Sequence, residues 1–333
     1  MKWKTSVRWI LALALFASVF IMGDVRELVH LRLNWIYVIG IVFSTLAFIL
    51  VHTLRWKKIV NALSQREEVG FLPLYKWMIH SYTLGYIMPK DVSLLSVRTY
   101  YLKQHQNLPL SLSLFSVSLD RLLDIVVFLF VILPSLLFVT KILSGGASLM
   151  LMVLLLGGLL VLTRWRGKES FGFLVWFYRK IVSLPLIRRR MGGESDRSRW
   201  ENPSLGGEVF FSVMAWTVWA FLLLVSRFFF TGQSLDVNLS FLQCLFVIPV
   251  IQISGIINIT PGSLGVLELG SWAALVLVDV PKEQILRFVV GQRVLLTASL
   301  LALILLNNLF FLLKDKWHWI VGKDRIGNGN SPG

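Results

Sequence analysis

Long apolar runs separated by short basic or polar stretches set the pattern of the chain. Residues 9–22, 35–54, 110–140, 147–163, 209–230 and 285–313 are almost unbroken hydrophobic sequence, and a bilayer crossing takes roughly 20 such residues. The pattern predicts about six full transmembrane helices. The first run follows Lys2, Lys4 and Arg8 and reads either as a signal-peptide core or as an uncleaved anchor; no small-x-small pattern follows at Ile21-Met22-Gly23, which favours the anchor. Two pairs of segments break the rhythm: 74–88 and 92–102 meet at Pro89-Lys90-Asp91, and 239–258 and 266–280 flank residues 259–265. Proline cannot continue a helix, so each pair predicts a re-entrant, broken hairpin.

Composition agrees with this reading and narrows it. Of the 333 residues, 56% are hydrophobic and 15% charged, against about 25% charged in soluble domains. The expected fold is therefore an all-α polytopic membrane protein, with residues 1–320 as a single transmembrane domain and 321–333 as a disordered tail. A large catalytic module outside the membrane is not expected. Cys244 is the single cysteine, so no internal disulfide forms, and no Cys/His cluster suggests a metal or other cofactor.

Net charge is +15, from 33 Lys plus Arg against 18 Asp plus Glu. In a soluble chain that excess would suggest nucleic acid. Here the basic residues lie between apolar spans, which points instead to topology and to anionic membrane lipids. Residues 164–207 form a basic loop whose first part, 164–199, holds ten Lys or Arg, whereas 231–238 holds none. The positive-inside rule then puts the loop and both termini in the cytoplasm, and the chain in the plasma (inner) membrane. Within the loop, residues 171–187 read as an aromatic helix lying in the interface, or alternatively as a membrane hairpin. Arg55, Trp56, Lys57 and Lys58 read as a cytoplasmic stop after the second span. Trp35, Trp56, Trp77, Trp200 and Trp317 fit interfacial belts.

The chain also repeats itself. An offset of 172 residues carries Pro89 onto Pro261, Pro109 onto Pro281, Arg121 onto Arg293, Arg55 onto Arg227 and Ile87 onto Ile259. Halves of about 7–140 and 147–313 each read as helix, helix, broken hairpin, helix. Three crossings per half is an odd number, so the second half is inverted relative to the first. Inverted repeats with discontinuous helices near the midplane build substrate sites in many transporters. A Pro261-Gly262-Ser263-Leu264-Gly265 turn at membrane depth implies a cavity, because unpaired backbone is not tolerated in lipid. The alternative is an ordinary surface loop.

Ionisable groups inside spans are costly and tend to face a bundle interior or a wet cavity. Asp120, Arg121 and Asp124 lie deep in the run that begins at Leu110, spaced to share a helix face. They form either part of a polar pathway or a self-neutralised patch that locks helices together. Arg293 sits at a comparable depth in the last span, and Glu268, just past the turn, is the residue expected to meet it. Arg227 reads as snorkelling toward the outer surface, and His52 and His80 as interfacial or packed.

With Pro261-Gly262-Ser263-Leu264-Gly265-Val266-Leu267-Glu268, Asp120-Arg121-Leu122-Leu123-Asp124 and Arg293 in view, the chain resembles the lysylphosphatidylglycerol synthase transmembrane region family, also called flippase-like membrane proteins, over nearly its whole length. The second motif is similar to that family's Pro-Gly-Gly-Leu-Gly-x-x-Glu pattern, with Ser263 in place of one glycine. The first departs from its counterpart: Pro89-Lys90-Asp91 replaces a Pro-Gly turn with a Gly-acidic pair, and Arg98 is the matching arginine one residue out of register. The resemblance implies translocation of anionic, aminoacylated or glycan-linked lipids, or assistance to it, with Asp120, Arg121, Asp124, Pro261, Gly262, Gly265, Glu268 and Arg293 as headgroup residues and Pro89, Asp91 and Arg98 as weaker candidates. Members with synthase activity carry a further domain, which is not expected in this chain, so an enzyme is not expected. Two other functions fit the sequence. One is a non-catalytic partner of an envelope or glycan-assembly enzyme. The other is a membrane glycosyltransferase, for which Asp24 and Glu27 would be the paired acids; these fit a helix cap near Arg26 and Arg32 better.

Overall fold

Apolar sequence of this length folds into helices because lipid cannot satisfy an exposed amide or carbonyl. The computed structural model describes residues 33–64, 68–85, 90–182, 206–256, 260 and 263–327, with positions 13, 14 and 17. The expected first span, Pro89, Pro261, Gly262, the side chain of Asp91 and the basic stretch 183–205 lie outside the described residues. In chain order the helices are α1 (Trp35–Ser64), α2 (Phe71–Leu84), α3 (Lys90–His105), α4 (Leu110–Val139), α5 (Gly145–Trp165), α6 (Gly167–Val182), α7 (Gly207–Ser234), α8 (Phe241–Ile256), α9 (Val266–Leu277) and α10 (Lys282–Gly327). Five of them, α1, α4, α5, α7 and the 282–311 part of α10, are long and apolar enough to cross a membrane. The chain is an all-α polytopic membrane protein, with α2–α3 and α8–α9 as the two pairs of shorter helices. Helix α10 runs on to Gly327, into the polar tail expected to be disordered.

The repeat is visible in the backbone. At the offset of 172, the first residue of α1 falls on the first residue of α7, and the first residue of α4 on the first residue of α10. Ahead of each last span the chain makes the same turn, with Asn107 (φ 49°) and Asp279 (φ 57°) left-handed two residues before Pro109 and Pro281. Both residue types tolerate that conformation. Packing repeats with the halves exchanged: α1–α4 corresponds to α7–α10, and α4–α8 to α10–α2.

The most extensive helix pair is α1 with α7, and the two run antiparallel. Asn34 N–H donates to Ser234 O at 3.1 Å at one end. Lys58 Nζ donates to Ser212 Oγ at 2.6 Å at the other. Between them the Phe230 ring covers Gly40, where a Cβ would lie 3.0 Å from the ring. Small residues of this kind allow close helix approach where lipid removes the hydrophobic drive. Equivalent helices running in opposite directions mean that the second half is inverted with respect to the first.

Outward faces stay apolar, as lipid requires: Ile36 and Ile39 on α1, Leu129 and Leu133 on α4, Val153 and Leu154 on α5, Leu305 and Leu309 on α10. The end of the expected interfacial stretch, 183–187, lies outside the described residues, and helix α6 is described over Gly167–Val182. It packs Phe171 and Tyr178 against Phe115 of α4 and exposes Phe173 and Trp176, with Lys180 over the Trp176 ring at 5.1 Å. At the α1–α2 turn Lys57 meets Glu68 at 2.7 Å and holds that carboxyl below its ordinary range.

One expectation is corrected here. Arg55 and Trp56 are not an interfacial stop: α1 continues to Ser64, and both side chains are completely buried. Helical geometry turns Lys57 away from both, because residues one or two apart in sequence point in different directions around the axis.

Candidate functional site

On α4, Asp120 and Asp124 are one turn apart and face α1 together. Arg55 answers them from α1. Its Nε donates to Asp120 Oδ1 at 2.6 Å, and its Nη1 donates to Asp124 Oδ1. The second terminal nitrogen reaches the Asp120 carbonyl at 3.1 Å and lies 3.2 Å from His52 Nδ1. Thr217 of α7 accepts from Nη1 at 3.2 Å. One guanidinium thus joins α1, α4 and α7 through its fixed fork of donors.

Asp120 has a second arginine. Arg98, on α3 of the first hairpin, donates from Nη1 to Asp120 Oδ2 at 2.7 Å and stacks over the Trp56 ring at 4.1 Å. Arg98, Arg55 and Asp120 have no exposed surface. Arg121 points away from this knot and donates to Asp124 Oδ2 at 3.2 Å. Asp124 is therefore shared between a buried arginine and a partly exposed one.

The second half builds its charged pair at the start of α9. Ser263 (φ 56°) and Gly265 (φ 83°) make the turn that launches the helix. Three residues on, Glu268 folds back so that its Oε2 accepts from the Gly265 N–H at 2.7 Å. This is the acidic half of a capping box. The other oxygen, Oε1, lies 3.4 Å from Arg293 Nη1 on α10, the partner expected for it.

Two cavities adjoin these pairs. The larger, about 160 Å³, is lined by Glu268, Arg293, Gln292, Ser263 and Ser271 among others; the smaller, about 80 Å³, by Arg121, Asp124, His52 and Thr217. Phe48, Tyr82, Arg227 and Gln252 line both, so they form the wall between them. The expected residues do not meet in one space. Arg121 and Asp124 face one cavity, Glu268 and Arg293 the other, and Asp120 sits behind the first in the buried knot.

Arg227 departs from the sequence reading. It does not extend toward an outer surface; its guanidinium lies 5.2 Å from the Phe48 ring centre, beside both cavities. Arg55 was hidden in sequence by the basic cluster that follows it. Its spacing from His52, and its repeat relation to Arg227, are the signals that could have separated it from Lys57 and Lys58. Among the described residues, no group of three or more His, Cys, Asp or Glu side chains could hold a metal ion.

Fold and site together define a multi-pass, all-helical membrane protein with an inverted repeat and paired arginines and carboxylates at cavity walls. The chain belongs to the family described as the lysylphosphatidylglycerol synthase TM region, which it matches over residues 9–314. That membership makes it a membrane protein of a lipid-related family. No curated protein matches the chain, and no solved structure does.

Proposed function

We propose that the protein is a flippase-type transporter, not an enzyme, that moves or presents an anionic, aminoacylated or glycan-linked lipid across the plasma (inner) membrane, with both termini cytoplasmic. One observation carries the reading: each half places an arginine at a cavity wall and holds it with a carboxylate of its own, Arg121 with Asp124 and Arg293 with Glu268. An empty site then leaves no buried charge unpaired, which would cost several kcal/mol. An arriving phosphate competes for the same guanidinium fork, which keeps its charge at any depth.

Basic loops at the cytoplasmic surface draw anionic headgroups at roughly 1 kcal/mol per nearby Lys or Arg. The headgroup then passes from one cavity to the other along the wall formed by Arg227 and Gln252, while its acyl chains stay in lipid. The cavities have the scale of a phosphate group with water and not of a whole lipid. Reconstitution into liposomes with a panel of labelled lipids tests the reading: the expected result is that at least one anionic lipid changes leaflet faster than in protein-free vesicles. Movement of no lipid would favour a membrane partner of an envelope or glycan-assembly enzyme instead.

A further inference from the structure

Arg98 enters the protein interior from the first hairpin with more donors than the described residues answer. Its side chain has no exposed surface. Nη1 donates to Asp120 Oδ2 at 2.7 Å, and the other oxygen of that carboxylate is taken by Arg55 Nε at 2.6 Å. Among the described residues, neither Nε nor Nη2 of Arg98 has a hydrogen-bond partner. These two nitrogens carry parallel N–H bonds along one edge of the guanidinium, the kind of fork that grips an anion. The edge lies against Trp56 of α1, whose ring centre is 4.1 Å from the guanidinium carbon. Trp56 is fully buried too, and its Nε1–H also lacks a partner among the described residues. Buried donors are nearly always paired, so these N–H groups call for an acceptor.

The second half has neither group. The offset of 172 carries Arg98 onto Gly270 and Trp56 onto Phe228, and neither residue has a side-chain N–H. At Gly270 the helices of the second hairpin close on each other: an added Cβ would lie 2.0 Å from Ser254 Oγ of α8. The indole N–H is thus present in the half that has the guanidinium and missing from the half that lacks it.

We infer that the N–H groups of Arg98 and Trp56 hold a small inorganic anion of halide size, chloride under ordinary conditions, between α3 and α1. An ion that only accepts matches groups that only donate, whereas a water must also donate, and the Asp120 carboxylate is already engaged by Arg55 and Arg98. Burial sets the size of the ligand. A headgroup tied to acyl chains needs an opening to lipid, and neither Arg98 nor Trp56 has exposed surface. The ion pins the first hairpin to α1, as the Asp120 pair pins it to α4. This site goes beyond the transport reading and does not depend on it.

The test replaces chloride by gluconate at constant ionic strength and reads the melting midpoint of the purified full chain. The wild-type midpoint is expected to rise with chloride and to saturate. Arg98→Lys keeps a charge for Asp120 and loses the free edge; Trp56→Phe keeps the ring and loses the N–H. Each should weaken the apparent chloride affinity by about tenfold or more, and Trp56→Phe decides if Arg98→Lys does not fold. Lys103→Gln, at an exposed position in the last turn of α3, is the control for surface charge and should respond as the wild type does. A wild type indifferent to chloride, variants as sensitive as the wild type, or a control that loses the response would overturn the site. Crystals grown in bromide give the direct view: an anomalous peak beside Nε or Nη2 of Arg98 is expected, and its absence would leave the place to water and reject the anion.

Discussion

Arg98 Nη1 donates to Asp120 Oδ2 at 2.7 Å with neither side chain exposed, so a buried ion pair joins the first hairpin to α4. Asp120 also accepts from Arg55, so one carboxylate compensates two guanidinium groups in the protein interior. Asp120→Asn removes that charge and leaves both arginines buried. The expected cost is about 3–5 kcal/mol, read as a lower melting midpoint of the detergent-purified protein and a reduced yield. A midpoint equal to that of the wild type would show that Asp120 is not a structural lock.

Glu268 performs two tasks that substitution can separate. Its Oε2 caps the turn at Gly265, and its Oε1 meets Arg293. Glu268→Gln keeps an oxygen for the cap but takes the carboxylate from Arg293, so it should cost about 1–3 kcal/mol, less than a fully buried pair because Arg293 is partly exposed, while lipid turnover falls more than lipid binding. Glu268→Ala loses both and should cost about 1 kcal/mol more through the lost cap. Equal midpoints for the two variants would remove the cap from the account.

Much of this architecture is legible in sequence, because lipid imposes a strict rule on apolar runs and proline marks the breaks. The offset found from Pro89 and Pro261 carries the starts of α1 and α4 onto the starts of α7 and α10. The Arg293–Glu268 pair was expected from the depth of the one and the position of the other after the turn, and the two are 3.4 Å apart. Arg55 was not legible as a buried residue. A stop sequence and a polar inner face look alike when a guanidinium precedes two lysines, and only the neighbouring helix decides between them. The division into two cavities was equally hidden, since it depends on Phe48, Tyr82, Arg227 and Gln252, which come from α1, α2, α7 and α8.

Ser263 occupies a left-handed position, φ 56°, where a side chain is strained. The family pattern has glycine there, which adopts that conformation without cost. Ser263→Gly should therefore raise stability by up to about 1 kcal/mol. Gly265→Ala, at φ 83°, should lower it by a similar amount or more. Thermal melts of the two variants check the pair; a lower midpoint for Ser263→Gly would mean that the hydroxyl's own contacts outweigh the backbone strain.

Topology follows from charge, since Lys and Arg crowd residues 164–199 and are missing from 231–238. A cysteine introduced at Ser195 in a Cys244→Ala background should resist membrane-impermeant reagents in intact cells and react after permeabilisation. One introduced at Asn238 should react from outside. Labelling of position 195 in intact cells would reverse the assignment of both termini.

On the transport proposal, the decisive residues are the two arginines that the repeat relates, Arg121 and Arg293. Each is about a quarter exposed and faces a cavity, unlike Arg55, which has no exposed surface. Arg293→Gln removes the fork and leaves Glu268 buried beside a neutral amide. Insertion should survive, because the apolar length of α10 is unchanged, whereas lipid movement in liposomes should be lost. Arg293→Lys keeps the charge without the fork and should recover part of the rate at most. Arg121→Gln should behave like Arg293→Gln if the headgroup visits both cavities in turn. If only the Arg293 variant is impaired, a single cavity suffices and the wall at Arg227 is the end of the path. Wild-type rates in both glutamine variants would take these arginines off the path altogether.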